Sequence, residues 1–171
     1  MDNGKAFLKS RIRYEWARPE DWTEAISLVW TTFMEFEASD YGEEGTGHFF
    51  EFITDDDLHT AFLKGNYPVM VARLDGRIVG VGSLRGGNRL SLLFVDKAYH
   101  RLGIGTELVD RLCRYLRDIC HENNMIVRAA PYAVDFYKKI GFMALEAERS
   151  ISGIRVTTME LVFREVYCEI S

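Results

Sequence analysis

A short loop in the middle of the chain has the residues best suited to hold a charged ligand. It follows the apolar run at residues 90–95 and places Gly103 and Gly105 at the start of a predicted amphipathic helix. The first amides of a helix have no partner within it and carry about half a positive charge. Glycine lets a ligand approach the backbone closely. The pattern therefore predicts a phosphate site, but not a dinucleotide fingerprint, whose third glycine would fall at Leu108.

The composition predicts one globular domain over residues 1–171. The chain is 47% hydrophobic with only 3 Pro, which favours a compact core over disorder. A net charge of −5 offers no basic surface for nucleic acid. No apolar run approaches the ~20 residues of a membrane span, and the first residues have no signal-peptide core. We expect a cytoplasmic protein without nucleic-acid or membrane partners.

The 3 Cys form no CxxC pair. Cys113 and Cys120 lie seven positions apart in one predicted helix, about 10.5 Å along its axis, which is too far for a disulfide. We therefore expect buried thiols in a reducing compartment.

The elements around the loop predict an α/β fold. Strands are predicted at residues 12–16, 69–74, 78–84, 90–95, 125–130, 143–150 and 155–163, with hairpin turns at Asp75-Gly76 and Ser152-Gly153. Helices are predicted from Pro19 to Phe33, over 49–63, after Gly103 and over 133–140, and residues 41–47 are predicted to form a loop. Hairpins combined with helical crossovers imply a central mixed sheet of about seven strands with helices on both faces.

Two motifs resemble those of the GNAT superfamily of acetyl-CoA-dependent N-acetyltransferases. The family's Gln/Arg-x-x-Gly-x-Gly/Ala loop corresponds to HRLGIG at residues 100–105, and its Phe-Tyr-x-x-x-Gly-Phe signature to FYKKIGF at residues 136–142. His100 stands where the family has Gln or Arg. The resemblance implies a GNAT-type acyl-CoA N-acyltransferase fold, acetyl-CoA as the acyl donor, and a monomer or homodimer. His59 and His121 have no partner at ligand spacing, so no metal is expected.

The resemblance also implies roles for individual residues. Amides of the loop would hold the pyrophosphate of coenzyme A, Arg101 would add a charge, and the pantetheine arm would pair with the edge of the strand before the loop. The residues concerned are Phe94, Val95, Arg101, Leu102, Gly103, Ile104, Gly105 and Thr106. An amide near Phe94 or Val95 would also polarise the thioester carbonyl, which is typically worth about 3 kcal/mol. Tyr137 matches the family tyrosine that gives a proton to the coenzyme A sulfur.

A general base is not evident in the sequence. One is needed because an alkyl amine with a pKa near 10.4 is only about one part in 2,500 neutral at pH 7. The strands at residues 90–95 and 125–130 contain no acid, and Asp96 is expected to cap a turn. Four residues lie where the family shapes its acceptor pocket: Glu35, Glu37, Asp40 and His48. Each is expected to be solvated, although together they would attract a cationic amine, and a water chain could equally take the proton.

The sequence thus predicts an N-acetyltransferase that moves an acetyl group to a primary amine by direct attack in a ternary complex, with a small-molecule amine favoured over a protein or peptide amine. Transfer of a longer acyl group, or transfer to a hydroxyl, is a second possibility. A catalytically silent acyl-CoA-binding or regulatory module is a third, favoured by the missing base and by His100, whereas Tyr137 favours an enzyme.

The run Asp55-Asp56-Asp57 lacks the glycine and distal glutamate of a calcium loop and predicts a helix start.

Overall fold

The computed structural model, which describes residues 3–164, has a central sheet built from the predicted apolar runs. Its strands are β1 (Arg13–Trp16), β2 (Val69–Leu74), β3 (Arg77–Arg85), β4 (Arg89–Val95), β5 (Asn124–Ala129), β6 (Met143–Ala144), β7 (Arg149–Ile151) and β8 (Ile154–Val162). Its helices are α1 (Asn3–Arg11), α2 (Trp22–Phe36), α3 (Ala38–Ile53), α4 (Asp56–Leu63), α5 (Ile104–Asp118) and α6 (Val134–Lys139). The spatial order is β1-β2-β3-β4-β5-β8-β6, and β7 pairs with β8.

Helices cover both faces of the sheet, as predicted. On one face α5 buries Leu108, Leu112 and Leu116 against the strands. On the other face α2, α3 and α4 form a second core that includes Phe33 and Ile53. Residues at i, i+4 and i+8 share one face of a helix, which is why the apolar spacing of α5 produces a single buried stripe.

Close packing of α5 on β3 depends on two glycines. A Cβ built at Gly80 would lie 2.8 Å from Cγ2 of Ile104, and one at Gly82 would lie 3.0 Å from Cδ1 of Leu112. Both distances are shorter than a normal carbon–carbon contact. The bare backbone of β3 therefore lets α5 lie close to the sheet, and this fixes where the helix begins relative to the end of β4.

The sheet divides between β4 and β5, the one parallel pair among the described strands. Their ladder consists of Arg89–Ile126 and Leu90–Val127. The register between β3 and β4 shifts at the same point, so that Ser91 has no direct partner on β3. Such a bulge bends its strand and increases the local twist. Beyond Leu90 the two strands separate, and β4 presents an edge that β5 does not cover.

Both predicted hairpin turns are confirmed. Asp75 and Gly76 have φ angles of 53° and 81°, and Ser152 and Gly153 have φ angles of 51° and 79°. Two consecutive positive φ angles are the requirement of the type I′ turn, which matches the twist of the strands it joins.

Several other predictions need correction. Residues 41–47 are helical rather than a loop, with a break at Gly42. Tyr41 packs on Phe33 at 4.8 Å between ring centroids, so tertiary contacts outweigh the low helix propensity of the glycines. The predicted helix over 49–63 is divided between α3 and α4, the predicted strand over 143–150 is divided into β6 and β7, and α1 was not predicted.

The cysteine prediction is also wrong in part. Cys113 is a half-buried free thiol, as a structural cysteine would be, but Cys120 is exposed at the end of α5. Cys168 lies outside the described residues.

We expect Gly80→Ala to lower the free energy of unfolding by about 1–3 kcal/mol, because the new methyl group would overlap Ile104. Gly47→Ala is the matched control, since a Cβ there meets nothing within 4 Å and α3 gains a better helix former. Urea unfolding followed by circular dichroism measures both. Equal stability of Gly80→Ala and the wild type would contradict the close packing of α5 on β3.

Candidate active site

The uncovered edge of β4 forms one wall of a cavity of about 410 Å³. Its lining includes all but one of the residues predicted to hold coenzyme A: Phe94, Val95, Arg101, Gly103, Ile104, Gly105 and Thr106. The exception is Leu102, whose side chain is buried in the core beside α5. Any contact of Leu102 with a ligand would therefore come from its backbone. We call this space the donor cavity.

The glycine loop leaves the start of α5 open to the donor cavity. Gly103 is the residue before the helix and has a left-handed conformation, with φ 74° and ψ 17°. No side chain of the described residues caps the helix at this position. A helix start without a capping side chain keeps free amides and partial positive charge for an anion.

His100, which departs from the family motif, has a structural partner. Its Nε2 lies 2.8 Å from the carbonyl oxygen of Val95, and its ring packs on Phe36 with 5.1 Å between centroids. The side chain thus joins the loop to the last residue of β4.

Two cations lie beside the loop. Arg101 lines the donor cavity, and Cε and Nζ of Lys9 lie 3.5 Å from the position of a Cβ on Gly103. Neither side chain has a carboxylate partner within residues 3–164. Lys9 belongs to α1 and is more than ninety residues away in sequence, so no local pattern could have placed it here.

Tyr137 also borders the donor cavity. Its ring is 6% exposed and is held edge-on by Phe136 and Phe142, each 5.2 Å away between centroids. Burial raises the pKa of the Tyr137 hydroxyl, and the negative charge of Glu37 raises it further. Tyr137 is therefore fully protonated at neutral pH.

A second, smaller cavity of about 60 Å³ lies in the cleft between β4 and β5. It shares five residues with the donor cavity: Glu37, Leu93, Phe94, Ala133 and Tyr137. The two spaces therefore meet where β4 has separated from β5. We call the smaller one the cleft cavity.

Glu37 is the carboxylate at this meeting point. It follows the last residue of α2, and its amide donates to the carbonyl oxygen of Phe33. Burial, followed by the charge of Asp40, raises the pKa of Glu37 to about 7. The charge of Glu37 in turn contributes to the raised pKa of Tyr41, of Tyr137 and of Tyr132, whose pKa reaches about 12.

The other acids weighed from the sequence have partners elsewhere. Glu35 pairs with Lys97 at 2.8 Å, and Asp40 lies 3.9 Å from Arg155. Asp96 caps its turn as predicted, because its Oδ1 accepts from the amide of Ala98 at 2.9 Å. The sequence placed Glu37 in the region expected to shape the acceptor pocket, but it could not distinguish Glu37 from Glu35 and Asp40. The burial of each acid depends on how α2 and α3 meet the cleft.

The acidic run at the start of α4 is a helix cap. Asp55 accepts from the amide of Asp57 at 2.7 Å, as the sequence predicts. Within residues 3–164 no group of three or more His, Cys, Asp or Glu side chains is arranged to bind a metal ion.

The helices within residues 3–164 are all too short or too polar to cross a membrane.

Comparison with known proteins agrees with this geometry. Residues 37–163 match the family profile of the acetyltransferase (GNAT) domain, and they make up more than half of the chain. This chain belongs to the GNAT acetyltransferase family. No curated protein sequence matches it.

Solved structures show the same GNAT fold. The GCN5-related N-acetyltransferase of Rhodopseudomonas palustris is 27% identical with a TM-score of 0.75, over 88% of this chain and 95% of its own. The PaiA N-acetyltransferase of Thermoplasma acidophilum, solved with coenzyme A, is 17% identical with a TM-score of 0.74, over 89% of this chain and 99% of its own. The yncA protein of Salmonella typhimurium, solved with its cofactor acetyl-CoA, is 18% identical with a TM-score of 0.66, over 90% of this chain and 95% of its own.

The GNAT family and the mixed α/β fold predicted from the two motifs are thus confirmed. The sheet has eight strands rather than about seven, because the strand predicted at residues 143–150 is interrupted. Family membership makes acetyl transfer the general chemistry of this GNAT protein.

Proposed function

We propose that this GNAT protein is an N-acetyltransferase that moves an acetyl group from acetyl-CoA to a primary amine of a small molecule. The observation that carries the proposal is the junction of two cavities at Glu37 and Tyr137. One cavity has the features of a donor site, and the other leads away from it through the cleft. Two substrates bound in this way would form a ternary complex in which the amine attacks the acetyl group directly.

The chain has the groups that acetyl-CoA requires. Amides of residues 102–106 would hold the pyrophosphate, with Arg101 and Lys9 supplying positive charge. The uncovered edge of β4 at Phe94 and Val95 would pair with the pantetheine amides, as an added strand does. Acetyl-CoA supplies the activated acetyl group as a thioester.

Glu37 is suited to take the proton from the attacking amine. An alkyl ammonium ion must lose a proton before its nitrogen can form the new C–N bond, which costs about 4.6 kcal/mol at pH 7 in water. A base with a pKa near 7 is half ionised at that pH and accepts a proton readily. The carboxylate of Glu37 would also attract the ammonium ion into the cleft.

Tyr137 is suited to give a proton to the sulfur as the C–S bond breaks. Burial raises its pKa first and the charge of Glu37 raises it further, so Tyr137 would become a stronger acid once Glu37 has taken the proton of the amine. An amide near Phe94 or Val95 would stabilise the negative charge that grows on the carbonyl oxygen. The ammonium ion loses two protons in all. Glu37 would take the first before attack and later release it to solvent, and the second, lost as the C–N bond forms, would replace the proton that Tyr137 gives to the sulfur, so that one proton is released per turnover.

We expect acetyl-CoA to stabilise the protein against heat. A ligand at 100 times its Kd adds about 2.7 kcal/mol to the free energy of unfolding. The double variant Lys9→Ala, Arg101→Ala should raise the Kd about tenfold or more, because two charges beside the phosphates are lost. Lys64→Ala, at an exposed helix end, is the control. Absence of any thermal shift at millimolar acetyl-CoA would exclude the donor assignment.

We expect Tyr137→Phe to lower kcat about a hundredfold without weakening acetyl-CoA binding, since it removes a proton donor and keeps the ring. Thiol release at saturating substrates measures the effect. Tyr115→Phe is the matched control, because Tyr115 packs on Trp16 away from the cavities. Unchanged kcat in Tyr137→Phe would exclude the acid role. Acetyl-CoA binding with no turnover on any amine would instead indicate the silent module.

We expect kcat/KM to rise with pH and to level off near pH 7. Below its pKa of about 7 Glu37 is protonated and cannot accept a proton, whereas above that pH it is ionised. Glu37→Gln should lower kcat/KM at pH 7 about a hundredfold. Its rate should continue to rise toward the pKa of the amine near 10.4, because the free amine then replaces the base. Glu35→Gln is the control, and a plateau at pH 7 in Glu37→Gln would count against the base role.

A further inference from the structure

A third cavity extends the cleft toward the surface and has an unusual charge. Its volume is about 300 Å³, and it lies between α3, the neighbouring ends of β3, β4 and β5, and the β7–β8 hairpin. It shares five residues with the cleft cavity: Tyr41, Phe49, Leu90, Ser91 and Arg128. A molecule entering here would reach Glu37 and Tyr137 through the cleft. We call this space the entry cavity.

Three arginines line the entry cavity, and no Asp or Glu does. Arg85 on β3 is the direct cross-strand partner of Arg89 on β4. Arg89 is in turn the register partner of Ile126 on β5, two positions before Arg128. Side chains two positions apart on a strand share a face, so all three arginines gather on the face that α3 covers.

This grouping is unfavourable for the protein alone. Like charges directly opposite each other destabilise an antiparallel pair. None of the three arginines has a carboxylate partner among residues 3–164. By contrast, the arginines of α5 are paired, with Arg111 at 2.8 Å from Glu107 and Arg114 at 2.7 Å from Asp110. The cluster is thus unneutralised in a chain whose net charge is −5.

One of the three guanidinium groups is nevertheless supported by an aromatic ring. The guanidinium carbon of Arg85 lies 4.8 Å from the ring centre of Phe52, which is within the range of a cation–π contact. Most of the remaining lining is apolar or aromatic and includes Phe49 and Ile154, whereas His48 and Ser91 are polar. Arginine binds carboxylate and phosphate through two parallel N–H donors, so the missing partner of the cluster is an anion of this kind.

We propose that the entry cavity receives an acceptor whose far end carries a carboxylate or phosphate group. The arginines bind this anion, the apolar walls contact a short linker, and the amine faces Glu37. Ser91 lines both the entry cavity and the cleft cavity, and it lies two residues from Arg89, or about 7 Å along the strand. A linker of several atoms therefore separates the amine of the acceptor from its anionic group. The inference rests on the proposed N-acetyltransferase function and narrows its substrate class.

The test compares acceptors that differ only at the far end. Amino carboxylates from glycine to 6-aminohexanoate are assayed against their neutral amides and against aminoalkyl phosphates of the same length. We expect kcat/KM of the preferred anionic acceptor to exceed that of its amide by about tenfold or more. The better of the carboxylate and phosphate series identifies the anion.

Variants then assign the preference to the cluster. Arg128→Gln and Arg85→Gln should each raise KM for the anionic acceptor about tenfold while kcat and the KM of the amide stay unchanged. Arg114→Gln on α5 is the matched control. Arg85, Arg89 and Arg128 are all exposed. The variant Arg89→Gln should unfold at the same temperature as the wild type or at a higher one, because it removes the repulsion between Arg89 and Arg85.

A binding measurement separates this proposal from the proposed function. The protein saturated with coenzyme A is titrated in a calorimeter with the amine-free carboxylate or alkyl phosphate of the preferred length. Binding that is lost in Arg128→Gln, without acetylation of any amine, would support the anion site and refute the N-acetyltransferase. Acetylation with equal kcat/KM for anion and amide, unaffected by Arg128→Gln, would refute the anion site and leave the function intact.

Discussion

The separation of β4 from β5 is the constraint on which the site depends. The two strands pair only through Arg89–Ile126 and Leu90–Val127, next to a bulge at Ser91. A parallel pair needs a long crossover, here α5, and the start of that helix comes just beyond the end of β4. The same divergence therefore creates the uncovered strand edge, the cavity beside the glycine loop and the cleft into which Glu37 reaches.

Positive and negative groups alternate along the three cavities, from the glycine loop through the cleft to the entry. The loop end has the amides at the start of α5 with Lys9 and Arg101, the centre has the half-buried carboxylate of Glu37, and the entry has the three arginines. Burial is what makes the centre chemically distinct. It raises the pKa of Glu37 toward neutrality and keeps Tyr137 protonated, so one group can accept a proton while its neighbour can donate one.

Much of the scaffold was predictable from local sequence. The strands β2 to β5 follow from apolar runs, and the two hairpin turns follow from Asp-Gly and Ser-Gly pairs that accept positive φ angles. The helix at residues 41–47 was not predictable, because its glycines disfavour a helix unless Tyr41 and Phe33 pack together. Lys9 was missed for a related reason, since only the folded chain brings α1 to the loop.

The sequence by itself determined the family and predicted a coenzyme site at the glycine loop, because a glycine loop after a strand and the motif around Tyr137 are local patterns with fixed spacing. Only the tertiary structure distinguished Glu37 from Glu35 and Asp40, and only it gathered Arg85, Arg89 and Arg128 around one cavity. The physical reason is that burial and charge clustering are properties of surroundings. The surroundings of the cleft and entry cavities come from four separate parts of the chain: the end of α2 with α3, β3–β4, β5 with the residues that follow it up to Tyr137, and the β7–β8 hairpin.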